Sequence, residues 1–146
     1  MNTALLSSRK DTWCTPQDFF DRLNDEFHFT LDTAATDKSA KCSRYYTPKT
    51  DGLSQPWTVE QGAVFCNPPY GRNISKWVEK ASKESKYGTT IVLLLPARTD
   101  TAYFHDYICG QADIRFLRGR LRFTDENGTP AAHPAPFPSM VVVYNG

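Results

Sequence analysis

The chain has 146 residues, 40% of them hydrophobic and 23% charged, and a net charge of +1 from 17 Lys+Arg against 16 Asp+Glu. This length fits one domain, residues 1–146, that buries a real core without metal or disulfide staples. The near-neutral balance is not the bulk signature of a nucleic-acid binder. No apolar run approaches the ~20 residues needed to cross a bilayer. The opening residues place their charges after a short apolar stretch, which is not the layout of a signal peptide. Both observations point to the cytoplasm and away from a membrane.

Cys14, Cys42, Cys66 and Cys109 lie far apart and form no CxxC pair. His28, His105 and His133 do not fall at ligand spacing with them. A zinc site and a disulfide framework are therefore not expected. The cysteines read as reduced, and Cys66 reads as a small core hydrophobe.

Residues 1–11 read as a loose tail. Thr15 and Pro16 open a helix, Thr as the cap and Pro in the first turn. Phe19, Phe20, Leu23 and Phe27 give that helix its apolar stripe. Residues 29–33 read as a short strand, and residues 44–47 as a weaker one. Residues 51–57 are loop by their Gly and Pro. Residues 63–66 are an apolar run suited to a buried strand, stopped by Asn67-Pro68-Pro69-Tyr70-Gly71.

A second helix fits residues 73–86, capped by Asn73 or Ser75, with Ile74, Trp77, Val78 and Ala81 on one face. Residues 89–95 are the strongest strand. A third helix fits residues 101–109. Strands are expected at 114–117, 121–123 and 140–144. His105, Met140 and the three tryptophans, Trp13, Trp57 and Trp77, are assigned to packing, although Trp13 sits beside Thr15-Pro16.

Strands alternate with helices through the middle, which predicts an open α/β sheet. The unalternating apolar strands suit a mostly parallel sheet covered on both faces. No helix separates the last strands, so an antiparallel hairpin is expected at the C-terminal edge. Ligands of such sheets sit at the carboxyl ends of the strands. Three polar segments fall there: residues 32–35, 67–70 and 96–98.

Asn67-Pro68-Pro69-Tyr70 carries the sharpest chemistry. The amino group of adenine is a poor nucleophile, because its lone pair is delocalised into the ring. The Asn67 side-chain oxygen and the Pro68 carbonyl can accept its two hydrogens and return the lone pair to nitrogen. Such a group then attacks an electrophilic methyl without a metal or covalent intermediate. Pro68 and Pro69 fix the backbone so the acceptors stay aimed. Tyr70 offers a ring on which an extruded base can stack. Two prolines after Asn also make a good turn anywhere. The place of the motif, after an apolar strand and before an amphipathic helix, is what marks a substrate loop.

The segment Phe65–Gly71 resembles the catalytic motif of amino-methyltransferases. The wider pattern resembles the small phage-type DNA N6-adenine methyltransferases, a Dam-like family. The resembling stretches are residues 13–24, 29–36, 42–53, 64–72, 93–108, 114–123 and 134–144, in order along most of the chain. This resemblance implies a Rossmann-like methyltransferase fold, S-adenosylmethionine as donor, and adenine in DNA as substrate, either flipped from a duplex or in a single strand.

It also implies roles. Asn67, Pro68, Pro69 and Tyr70 are the catalytic set, with Asn67 also beside the donor. Thr15 and Pro16 resemble a motif whose loop packs on the methionine end of the donor. Asp32, with the small Ala34 and Ala35, resembles the first cofactor motif, where Asp32 meets the donor's ammonium. That loop has no GxG. Asp51 stands where an acid reads the cofactor's adenine, and is equally plausible as a turn former. Arg98 follows the strongest strand and can face the target or a phosphate. Arg118, Arg120 and Arg122 alternate on the expected strand, giving either a phosphate track or a solvated edge that discourages aggregation. Residues 115–135 are the only candidate insertion for target recognition. The motif chemistry is shared with enzymes acting on RNA adenine, guanine N2 or protein glutamine, and a non-catalytic module on the same fold is the remaining alternative.

Overall fold

The computed structural model describes residues 13–146, and the expected tail at 1–11 lies outside them. Helix α1 (Gln17–Phe27) leads into β1 (Phe29–Asp32). A 3-10 turn (Gly52–Ser54) precedes β2 (Ala63–Cys66). Helix α2 (Ile74–Glu84) runs through a second 3-10 turn, Ser85–Tyr87, towards β3 (Ile91–Pro96). A π-helical turn (Phe104–Ile108), β4 (Asp113–Phe116) and β5 (Ser139–Tyr144) complete the order.

The five strands form one sheet in the order β1-β2-β3-β5-β4. β1, β2 and β3 are parallel neighbours. β5 runs antiparallel to both β3 and β4. β4 is therefore parallel to the first three strands, and β5 alone is reversed. The expected alternation and mixed α/β sheet are present, but the reversed strand is not at the edge. The physical reason lies in the side chains. Every residue of β5 is buried, so its unbroken apolar run needs neighbours on both sides. β4 carries Asp113 and Arg115 and is largely exposed, which suits an edge.

The core follows the apolar strands. Leu31, Val64, Ile91–Leu95 and Met140–Val143 are almost fully buried. Phe20 of α1 meets Phe65 edge-on at 5.1 Å and Phe29 at 5.4 Å, fixing α1 against β1 and β2. Glu26 at its far end pairs with Arg115 of β4. α2 buries Ile74, Trp77, Val78 and Ala81 and lies against the first 3-10 turn and the π-helical turn. Cys66 is buried, as expected, and all four cysteines are free thiols. Met140, Trp57 and Trp77 are buried, whereas His105 is exposed, with its ring edge-on to Phe104 at 5.4 Å and bonded to the Thr99 carbonyl.

Four local expectations are corrected. Pro16, not Thr15, takes the cap position of α1, and no side chain caps that end. Thr15 is turned inward, where its hydroxyl has another partner. Residues 44–47 make no strand, only a bridge between Tyr45 and Asp32. The expected third helix is mostly the π-helical turn. Residues 121–123 are not a strand, so there is no hairpin of that kind. Thr124 instead bridges to Cys14, with backbone bonds in both directions at 3.2 and 3.0 Å.

Candidate active site

Because β1, β2 and β3 are parallel, Asp32, Asn67 and Ala97 leave the sheet at one end. The register sets Asp32 opposite Phe65 and Cys66 opposite Leu93, so Asp32 and Asn67 leave at nearly the same level, while β3 runs on to Pro96 before Ala97. Phe116 of β4 lies opposite Met140 of β5, so the connecting residues 117–138 also cross this end.

Asn67 is the first residue beyond β2. Its Nδ2 donates to the Trp13 carbonyl and, at 3.0 Å, to the Thr15 hydroxyl. A carbonyl only accepts, so the amide nitrogen must face Trp13 and the amide oxygen must face away. That oxygen, Oδ1, is buried and has no hydrogen-bond partner among the described residues. An unmet buried acceptor costs ~1–3 kcal/mol. Such an atom at the end of a strand is poised for an incoming N–H.

Pro68 is buried and Pro69 half-buried, and no peptide bond here is cis. Tyr70 is placed differently from expectation. Its ring is only 7% exposed, packed edge-on against Phe137 at 5.6 Å and Phe123 at 6.2 Å. Its hydroxyl donates to the Leu94 carbonyl at 3.1 Å. Burial holds that phenol well above its ordinary pKa, so it stays a donor. The ring is a supporting wall of the loop in this conformation, not an open stacking face.

Asp32 is 3% exposed and accepts from the backbone N–H groups of Lys41 at 3.0 Å and Ala34 at 3.3 Å. Burial pushes its carboxyl up to about 6, against the opposing pull of those two bonds and the Lys41 charge. The Ala35 N–H donates to the Tyr46 carbonyl, and the Tyr46 N–H to the Asp32 carbonyl, each at 2.9 Å. The loop without a GxG is thus organised by Asp32 and the 41–46 backbone. Asp51 is exposed and has φ 58°, directly before the 3-10 turn. A Cβ on Gly52 would stand 2.3 Å from the Thr33 carbonyl oxygen. Only glycine permits that approach, which sets Asp51 beside the end of β1.

Residues 2–146 match the family described as DNA N-6-adenine-methyltransferase (Dam). The chain belongs to this DNA N-6-adenine-methyltransferase family. It is also similar to the DNA N-6-adenine-methyltransferase of Escherichia phage T1, at 30% identity over 113 residues. That alignment covers 77% of this chain and 47% of the relative, so the chain spans about half the length of this curated relative.

In this member of the DNA N-6-adenine-methyltransferase family the arginines divide into two groups. Arg98, Arg118, Arg120 and Arg122 are all exposed, and they differ in their partners. Arg120 donates to the Ala135 carbonyl at 3.3 Å, and Arg122 to the Ala131 and Ala132 carbonyls at 2.8 Å. Without a strand there is no alternating track. Arg120 and Arg122 close the 117–138 segment on itself.

Sequence reasoning missed the aromatic wall. Phe123 and Phe137 pack edge-on to Trp13, each at 5.5 Å, and also flank Tyr70. Periodicity could not find them, because the segment has none. Their signal was composition alone: Phe123 lies inside the candidate insertion, and Phe137 sits among Pro and Ala just past it. Among the described residues, no three His, Cys, Asp or Glu side chains gather as a metal-holding group. No helix among them is long and apolar enough to cross a membrane.

Proposed function

We propose that this chain transfers a methyl group from S-adenosylmethionine to the N6 amino group of adenine in DNA, on a Rossmann-like methyltransferase sheet. The observation that carries the reading is the buried, unpartnered Oδ1 of Asn67, with its own amide nitrogen held by Trp13 and Thr15. Family membership supports the choice of adenine in DNA.

The residues present fit the donor. Asp32 is a buried carboxylate at a strand end whose oxygens accept from the Ala34 and Lys41 N–H groups, and its remaining lone pairs could take the donor's ammonium. Ala34 is half-buried and Ala35 buried, small side chains that would let a donor come close, and Asp51 is exposed next to Gly52, which packs on Thr33. Bound S-adenosylmethionine supplies an electrophilic methyl on its sulfonium. The Thr15 hydroxyl accepts from the Asn67 amide nitrogen at 3.0 Å, and the loop of Thr15 and Pro16 would pack on the methionine end of the donor.

The chain's own work is positioning. The adenine amino group donates one hydrogen to Asn67 Oδ1 and the other to the Pro68 carbonyl. Both acceptors favour a pyramidal nitrogen with its lone pair localised, and the Asn67 amide is held by Trp13 and Thr15 before the base arrives. Tyr70 holds the loop to β3 through Leu94. Burial raises the thiol pKa of Cys66, and that of Cys42 to about 12, so neither serves as a nucleophile at neutral pH. Direct transfer needs none. Arg98 and Arg118 are exposed cations at the site's end of the sheet that could meet phosphate.

The test is transfer of radiolabelled methyl from the donor to DNA, RNA and protein offered in parallel. Label in DNA, released as N6-methyladenine, is the expected result. Label in RNA or protein alone overturns the substrate, and donor binding without any transfer overturns the activity.

A further inference from the structure

We propose that Thr15 is a positioning residue for catalysis: its hydroxyl, with the Trp13 carbonyl, sets the Asn67 amide so that Oδ1 faces the target. This rests on the reading of Asn67 as the amino-group acceptor.

An asparagine amide can rotate by half a turn at little intrinsic cost, exchanging acceptor for donor. A reversed Asn67 would aim an N–H at the adenine amino group, donor against donor, and the acceptor would be lost. Two contacts oppose that reversal. The Trp13 carbonyl accepts one Nδ2 hydrogen, and the Thr15 oxygen, 3.0 Å away, accepts the other. Both hydrogens of the amide are thereby used, leaving Oδ1 alone on the other side. Thr15 is 3% exposed, so water does not readily replace its hydroxyl.

The arrangement explains why Thr15 does not cap α1. Its side chain is spent on a residue far away in sequence, and the helix end has no side-chain cap. It also makes position 67 specific for an amide. Aspartate has equivalent acceptors, but its second oxygen would face the Trp13 carbonyl, oxygen against oxygen.

The experiment compares Thr15→Val and Thr15→Ser with wild type by two readouts. The first is the NMR signal of the Asn67 side-chain NH2. In wild type its two protons should be distinct and slow to exchange. Thr15→Val should lose the protection of one, and Thr15→Ser should keep both. The second is steady-state kinetics on DNA. Thr15→Val should lower kcat by about 10- to 100-fold, the scale of a small misplacement of a reacting group. KM for donor and DNA should stay within twofold, and Thr15→Ser should restore kcat. Asn67→Asp should fall at least tenfold below wild type.

Unprotected Asn67 NH2 protons in wild type overturn the proposal. So does Thr15→Val with wild-type kcat, or Asn67→Asp as active as wild type. A wild-type enzyme that forms no N6-methyladenine overturns the functional reading instead, and the NMR comparison then still decides whether Thr15 orients the amide.

Discussion

The Tyr70 hydroxyl donates to the Leu94 carbonyl at 3.1 Å, so the loop after β2 is fastened to the middle of β3. Tyr70→Phe removes this bond and keeps the ring between Phe123 and Phe137. It should cost ~0.5–1.5 kcal/mol of stability and leave most of the activity. Tyr70→Ala empties a buried site and should cost ~3–5 kcal/mol, with activity crippled. Chemical denaturation and initial rates on the same preparations check both. Equal destabilisation by the two changes would mean that the hydroxyl, not the ring, holds the loop.

Asp32 predicts a pH dependence. Its folded pKa is raised from the ordinary 3.8 to about 6 by burial. The native state therefore holds this proton more tightly than the unfolded chain, and the group's contribution to stability falls as pH rises through that window. An ammonium beside it favours the ionised form. Donor affinity should therefore rise with pH through about 6 and level off above. Calorimetry from pH 5 to 8 should show the rise in wild type and its loss in Asp32→Asn. Asp32→Ala should weaken donor binding more than Asn67→Ala does. The reverse order would exchange the two loops' roles.

The strand cores were legible because their chemistry is uniform. Residues 63–66 and 91–95 are apolar without alternation and sit where that pattern puts them. The apolar run of β5 was visible too, but only as part of an expected antiparallel edge, and its burial along the whole strand is what shows why it sits between β3 and β4. Asn67 was legible from its place between strand and helix. The inward turn of Thr15 was not, since its partner is distant in sequence and a Thr-Pro pair has an obvious local use as a helix start. The 117–138 segment was illegible for another reason. Its order comes from Arg120, Arg122 and the Cys14 bridge bonding backbone carbonyls and amides, which no periodicity records.

The arginines separate by experiment. Arg98→Ala and Arg118→Ala should weaken DNA binding across sequences and shallow its salt dependence by about one phosphate contact each. Arg120→Ala and Arg122→Ala should lower the melting temperature, since the first leaves the carbonyl of buried Ala135 without its donor and the second unties the Ala131 and Ala132 carbonyls. Fluorescence titration with DNA at several salt concentrations gives the slopes. An Arg120→Ala protein with wild-type stability and a shallower slope would restore the phosphate role.

Gly52→Ala tests the close approach to β1. The added Cβ would meet the Thr33 carbonyl at 2.3 Å, so backbone must move. A loss of ~1–3 kcal/mol is expected from such overpacking, together with weaker donor binding as Asp51 shifts. Thermal melts and calorimetry read both. Unchanged donor affinity in a destabilised protein would place Asp51 outside the donor site.

The central claim is tested most directly at Asn67. Initial formation of N6-methyladenine in DNA is measured by nucleoside mass spectrometry under saturating donor, for wild type and for Asn67→Ala, with circular dichroism confirming that both are folded. One positioned hydrogen bond lost from the transition state costs about 10²–10³ in rate, and a fall of that size is predicted. A folded Asn67→Ala protein that methylates adenine at the wild-type rate would contradict the account, because the amino group would then be activated elsewhere.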